Sequence, residues 1–571
     1  MKKINYLALF GISVFVLSSC GGLNKMQEKA ADVKYKVTPE VLEAHGDVVA
    51  VNVDATYPEK YFNKKAVLTA TPVLKYEGGE TPFVAKTVQG ESVTANNQVI
   101  SYSGGKVSYS SNVPFTENMM KSELVIRVNA EMKGKTLTFP DLKIADGVIA
   151  TSNFVIIDPK PVMIKDAFQR VIPESMVADI LYVINRADLR TNELKQDDVL
   201  KLQKLLAKTD SNSRMEFKNL ELSAYASPDG PLPLNDKLAQ QRQTSAGNFI
   251  KKELKKSKVE NVNQPEFLST KYTAEDWDGF KQLLEKSDIQ DKELILRVLS
   301  MYSDPVVREK EIKNISKAYK EIADEILPDL RRSKFVLNID NVGYSDDELK
   351  SIYKSDADSL KLEEILYTAS LYSDMETQLE VYQKAFNNYP EDYRAANNIG
   401  YIYILMGDEE KAKPVLEKAK ALKNVDAVNN NLGCVALMAG EVDQAKELFT
   451  ASMGAGAAVV NYNLGIISVL KGDYDAAANS FGNTNEFNTA LVKYLKKDND
   501  GALATLNNVE KDFAKKDYLK AVIAAKQDKT EVVFESLRLA FAKNSNLKNR
   551  AKVDMEFAKY FENDVFKSLV Q

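Results

Sequence analysis

The feature that most constrains this chain is an internal repeat in its C-terminal third. Three segments, NNIGYIYILMGDEEKAKPVLEKA, NNLGCVALMAGEVDQAKELFTAS and YNLGIISVLKGDYDAAANSFGNT, align without a gap. Gly400, Gly433 and Gly465 correspond, as do Gly407, Gly440 and Gly472, and Ala412, Ala445 and Ala477. The offsets are 33 and 32 residues. Small residues at fixed places let two helices approach closely, and a Gly followed by an acid reverses the chain between them. Such a unit cannot bury its apolar face alone, so the pattern predicts a stacked, all-helical solenoid.

The period and the Gly/Ala positions resemble those of tetratricopeptide repeats. A less regular unit precedes them, EEILYTASLYSDMETQLEVYQKAFNNYP; two degenerate units and a capping tail follow, which sets the array at 347–571. The resemblance implies a concave face that takes a peptide or helix of a protein partner, here an envelope protein. Cys434, at a small-residue position in the array, reads as a buried packing thiol.

Upstream, from about 37 to 157, the chain alternates. Val49, Val51, Val53 and Ala55 fall on one face and Ala50, Asn52 and Asp54 on the other; Ile126, Val128 and Ala130 repeat the pattern. Period two marks half-buried strands. Gly78-Gly79, Gly104-Gly105 and Lys133-Gly134 supply hairpin turns. This predicts an antiparallel β-sandwich of immunoglobulin-like type. His45, ahead of a turn glycine, reads as structural. Asp158-Pro159-Lys160-Pro161 reads as a stiff boundary linker.

Between 165 and 340 strands and helices mix in the order β-α-β-α-β, with helical insertions and a closing strand. LSAYASPDGPLPLNDKLAQQRQ is the informative stretch: a strand ends at Ala224-Tyr225-Ala226-Ser227, Gly230 follows, and Asn235, Leu238 and Arg242 stand at helical positions. Arg331-Arg332 precede the last strand. This α+β pattern resembles the peptidoglycan-associating domain of the OmpA family, in the version common in Bacteroidetes. The resemblance implies a site for a peptidoglycan stem peptide, in which an Asp takes an ammonium and a helix arginine takes a carboxylate as a bidentate fork. Arg242 falls on that arginine. Ser227 stands at the acid position, and Asp229, two residues on, is the replacement if the loop turns inward. The alternative pairs Arg242 with a local acid such as Asp236, leaving a domain that only mediates protein contacts. Trp277, at a helix start after Glu275-Asp276, reads as core.

The first residues, MKKINYLALFGISVFVLSSC, combine two lysines, an apolar run too short to span a bilayer, and Leu17-Ser18-Ser19-Cys20. They resemble a bacterial lipoprotein signal (1–19). That implies lipidation of Cys20, a polar tether over 20–36, and an outer-membrane lipoprotein facing the periplasm, since no Asp follows Cys20.

Composition narrows the function. The net charge of −5 over 571 residues argues against nucleic acid. One His and two Cys leave little for a metal site, a Ser–His triad or a disulfide framework. No spaced carboxylate pair or phosphate loop stands out. The expectation is a multidomain, non-enzymatic binding protein without cofactors. The alternative to a wall-anchored scaffold is an accessory factor for outer-membrane or fimbria-type surface-protein assembly.

Overall fold

The structure, a computed structural model, describes residues 21–207, 214–257 and 260–571; Cys20 and the leader lie outside them. The chain forms two compact units, one running to Lys165 and resuming at Asp374–Gln571, the other Asp166–Ser373.

The first unit opens with a short helix, α1 (Gly21–Glu28). Eleven strands follow: β1 (Lys34–Thr38), β2 (Val41–His45), β3 (Val48–Tyr57), β4 (Val67–Tyr76), β5 (Gly79–Pro82), β6 (Lys86–Gly90), β7 (Gln98–Ile100), β8 (Gly105–Pro114), β9 (Ser122–Met132), β10 (Lys135–Thr138) and β11 (Leu142–Ile149). Their pairing path runs β1-β3-β2-β11-β9-β4-β6-β7, with β8 on β3, β10 on β9 and β5 on β4. Val49, Val51, Val53 and Ala55 are buried while Ala50, Asn52 and Asp54 face solvent, as their alternation predicts. Faces of β3 and β8 meet faces of β4 and β9 over shared cores, in which Ala55 and Val107 lie with Leu68, Ile126 and Val128. Two details differ from the sequence reading. The β11·β2 and β6·β7 pairs are parallel, so the sheet is mixed rather than antiparallel. And residues 21–36 are no polar tether: Leu23, Met26 and Val33 are buried in the β core, three apolar residues with no strand alternation to announce them.

The second unit carries β12 (Val171–Leu181), α2 (Asp197–Leu206), β13 (Met215–Tyr225), α3 (Leu232–Leu254) and β14 (Leu268–Thr273). Helices α4 (Trp277–Lys286), α5 (Lys292–Met301), α6 (Pro305–Asn314), α7 (Ser316–Glu325) and α8 (Leu327–Leu330) follow, then β15 (Arg332–Val342), α9 (Asp346–Asp356) and α10 (Leu362–Ser370). The sheet order is β12-β15-β13-β14, with β13 and β14 parallel and the other pairs antiparallel. Val199, Leu202 and Leu206 of α2 and Ala246, Ile250 and Leu254 of α3 pack on Phe335, Leu337 and Leu222 of the sheet. The insertion α4–α8 has its own core around Phe280, Leu284, Ile295 and Ile322, against which Trp277 packs. Helix α3 begins at Leu232, three residues before Asn235, because Pro231 and Pro233 suit a first turn whose N–H groups need no intrahelical acceptor.

Thirteen helices complete the first unit: α11 (Met375–Asn388), α12 (Tyr393–Met406), α13 (Glu409–Leu422), α14 (Asp426–Met438), α15 (Val442–Thr450), α16 (Ala457–Leu470), α17 (Tyr474–Phe481), α18 (Phe487–Leu495), α19 (Asn499–Asn508), α20 (Ala514–Lys526), α21 (Thr530–Lys543), α22 (Leu547–Ala551) and α23 (Asp564–Val570). The array therefore starts later than 347, since α9 and α10 belong to the other unit. The repeat glycines do two jobs. A Cβ on Gly433 would lie 2.7 Å from Phe449 and one on Gly465 2.5 Å from Phe481, so the paired helices close only over glycine. Gly407, Gly440 and Gly472 take φ of 74–78°, the left-handed turn between helices. Ala412, Ala445 and Ala477 are fully buried.

Candidate functional site

The face of the array made by α12, α14, α16 and α18 is not empty. Residues 155–164, the expected boundary linker, run through it in extended conformation. The array grips them by side chains two residues before each close-contact glycine, or before Ala490, which takes that place in α18. Asn398 of α12 accepts the N–H of Ile164 and donates to its C=O, both at 2.9 Å. Asn431 of α14 does the same to Val162 at 2.7 and 2.8 Å. Asn463 of α16 holds Lys160 at 2.7 and 3.0 Å, and Asn488 of α18 holds Ile156 at 2.9 Å twice. A carboxamide offers one acceptor and one donor side by side, which matches the N–H and C=O that one extended residue presents on the same edge.

The asparagines also bond to one another. Asn397 and Asn430 donate to the carbonyls of Val162 and Lys160. Asn431 donates to Asn397 at 3.0 Å and Asn463 to Asn430 at 3.1 Å, linking successive repeats. All six amides are at most 1% exposed and are satisfied, as buried polar groups must be. Two residues of strand, ~7 Å, separate the points held by adjacent helices from α12 to α16. Between α16 and α18 the step is four residues. There Tyr462 and Asn488 reach the Asp158 carboxylate at 2.9 and 3.3 Å. The two prolines fit this register. Pro159 and Pro161 alternate with the gripped residues, so their missing N–H groups fall on the edge that no asparagine uses. Lys160 lays its ammonium over the Tyr462 ring and pairs with Glu486 at 2.6 Å.

The stretch after β11 enters the array's core. The Phe154 ring lies tilted against that of Tyr518, centroids 4.8 Å apart, and is buried with the array's apolar residues. Arg550 donates to the Ala150 carbonyl at 2.8 Å, and Thr151 to Glu556 at 2.6 Å. His45 meets the Tyr474 hydroxyl at 3.0 Å, a structural contact. Cys434 is fully buried with its sulfur beside Asn430 and Asn463, and burial pushes its thiol pKa far up.

In the second unit, strand β13 and helix α3 bring the predicted residues between 227 and 242 together, with different roles. Arg242 is 1% exposed. Its guanidinium donates to the carbonyls of Arg186 at 3.0 Å, Tyr225 at 2.9 Å and Val183 at 3.5 Å, and lies 5.0 Å from the Tyr182 ring. Burial pulls its pKa down to about 10, assisted by the like charge of Arg331. Asp236 is not its partner; backbone carbonyls are. Asp229 does turn inward, where Ser227 donates to it at 2.6 Å and Arg331 at 2.8 Å. Asn235 ties the Gly230 carbonyl at 2.7 Å to Glu275 at 3.2 Å, and Leu238 packs with Ala226 and Ala239. The two closing arginines diverge: Arg332 pairs at 2.8 Å with Asp276, whose other oxygen caps α4. Trp277 donates to Glu275 at 3.0 Å.

Sequence reasoning missed the asparagines. The available signal was their register: Asn397-Asn398, Asn430-Asn431 and Asn463 precede each glycine at the same distance. Among the described residues no group of three or more His, Cys, Asp and Glu is placed to hold a metal ion, and no helix is long and apolar enough to cross a membrane.

The tetratricopeptide-repeat family matches the chain over residues 393–426, the hairpin of α12 and α13 with the first residue of α14. No curated protein matches it. Among solved structures it is similar to the APC/C hetero-tetramer Cut9–Hcn1, at 14% identity over 40% of this chain and 46% of that one, with a TM-score of 0.32. It is similar to a tetratricopeptide repeat protein from Parabacteroides merdae (14% identity, 39% of this chain, 89% of that one, TM-score 0.28) and to Pseudomonas aeruginosa pilF (16%, 38%, 97%, 0.26). The chain spans about half the length of the first of these. The family match over 393–426 makes the C-terminal array one of tetratricopeptide type, an architecture for protein–protein interaction.

Proposed function

We propose that this chain is a non-enzymatic scaffold lipoprotein of the outer membrane, facing the periplasm and attached through lipid on Cys20, whose repeat array handles extended protein segments during assembly of envelope or surface proteins. The observation that supports it best is the asparagine-lined groove, which grips extended chain by its backbone. Such a grip reads shape and leaves side-chain identity open, as a scaffold that serves more than one client requires.

The OmpA-like unit acts in this reading as a protein-interaction module. Arg242 supports that assignment: a guanidinium 1% exposed, with each of its nitrogens donating to a carbonyl, presents no open fork to a ligand carboxylate. A wall-binding reading rests instead on Asp229 and Arg331, an opposite-charge pair that would have to part around a zwitterionic stem peptide. Co-sedimentation with purified sacculi separates the two. The expected result is no more pelleting for wild type than for Asp229→Ala; pelleting lost in that variant would establish wall binding. For the anchor, Cys20→Ala is expected to leave the protein unprocessed and without its lipid, and normal processing would refute it.

A further inference from the structure

Residues 156–164 lie in a binding groove yet are bound like a guest. Ten hydrogen bonds hold their backbone, two each to Ile156 and Ile164 and three each to Lys160 and Val162. Their side chains are seated less deeply than those of the array: Pro159 is buried, Ile157 and Asp158 are exposed, and Ile156 and residues 160–164 are half-buried, with Ile156 and Ile164 resting on the array's core. The array beneath is different, with fully buried Leu416, Phe449, Ile466 and Leu491 in its core. A stretch held by hydrogen bonds with few buried apolar anchors sits at the low end of the local-stability range. Each such bond is worth only about 1 kcal/mol net, because water replaces it on release. The groove tolerates that exchange as well. Its floor carries six carboxamides, which water hydrates at small cost once the segment leaves.

We propose that the groove is an exchange site in which residues 156–164 hold the place of an extended segment from a partner protein. The partner segment has free N–H and C=O groups on alternate residues along one edge and accepts proline at the residues between, as Pro159 and Pro161 show. This rests on the reading of the array as a binder of extended chain, and adds that the chain's own segment competes for it. Displacement frees the nine residues, about 30 Å of extended chain, from the surface that orders them.

The test uses the full-length chain and a dye-labelled peptide of residues 155–165, with hydrogen exchange on the unlabelled protein. Lys160→Pro with Val162→Pro removes the two N–H groups that Asn463 and Asn431 accept, so the resident cannot dock. The labelled peptide is expected to bind this variant at least tenfold more tightly than wild type, and to lose binding when Asn431→Ala and Asn463→Ala are added. In wild type, the amides of Lys160, Val162 and Ile164 are expected to exchange well before the core amides of α14 and α16. Exchange of the two sets together would overturn the exchange site while leaving the array's binding role intact. Early exchange with no peptide bound to any variant would overturn both. Equal binding to wild type and variant would place the peptide elsewhere and overturn the proposal. A concentration-dependent dimer of wild type that the proline variant lacks would make a second copy the occupant, and overturn the partner assignment.

Discussion

The asparagine groove and the Arg242 loop are both polar sites read by backbone, and they face in opposite senses. In the groove, side chains of a rigid array reach out to hold a separate stretch of chain. In the loop, one buried side chain reaches inward to hold its own fold together, joining the residue 183–186 turn to the end of β13. A polar group that grips something removable can be a binding site; one that satisfies the carbonyls of its own domain is a structural part, whatever family position it occupies.

Substitutions can break or sharpen that contrast. The largest effect is expected beneath the groove: Gly433→Val drives a β-branched side chain into Phe449 and should cost about 3 kcal/mol, read as a lowered thermal midpoint. Arg242→Met should cost the α+β unit about 2 kcal/mol, since three carbonyls lose their buried donor; urea unfolding followed by a probe in that unit would check it. A smaller loss would mean that the carbonyls find water. Asn431→Ala should leave global unfolding nearly unchanged and weaken the segment locally by about 1–2 kcal/mol, seen as roughly tenfold faster exchange of the Val162 amide. A global effect as large as that of Gly433→Val would erase the distinction between guest and core. Pro161→Ala should shift docking least, by about 0.5 kcal/mol, because its nitrogen faces away from the ladder and only the entropy of the released chain changes.

Much of the fold was legible because its signals are local. Strand alternation at 49–55, and the close-contact and turn glycines of three repeats, each follow from geometry within a few residues. The last repeats blur because other residues take those places. Ala490 stands where a glycine would, and Lys497 and Asp528 occupy left-handed turns at φ 67° and 57°. The site was less legible because its partners are distant or anonymous. Asn431 and Val162 are 269 positions apart, and an asparagine in a helix reads alone as a weak helix former. Arg242 was found by register, but its partners are main-chain carbonyls, which every residue carries. Asp229 turns inward, and the arginine that claims it, Arg331, comes from the other end of the unit.

The alternation of Pro159 and Pro161 with Lys160 and Val162 has one more consequence. A free extended strand usually presents two adhesive edges, and a chain that docks on one can recruit a neighbour on the other. Here the second edge lacks two of its donors, so sheet growth stops at this strand. Whether seated or loose, the segment is a one-sided adhesive: it can be handed between protein surfaces inside a crowded compartment without seeding a fibre.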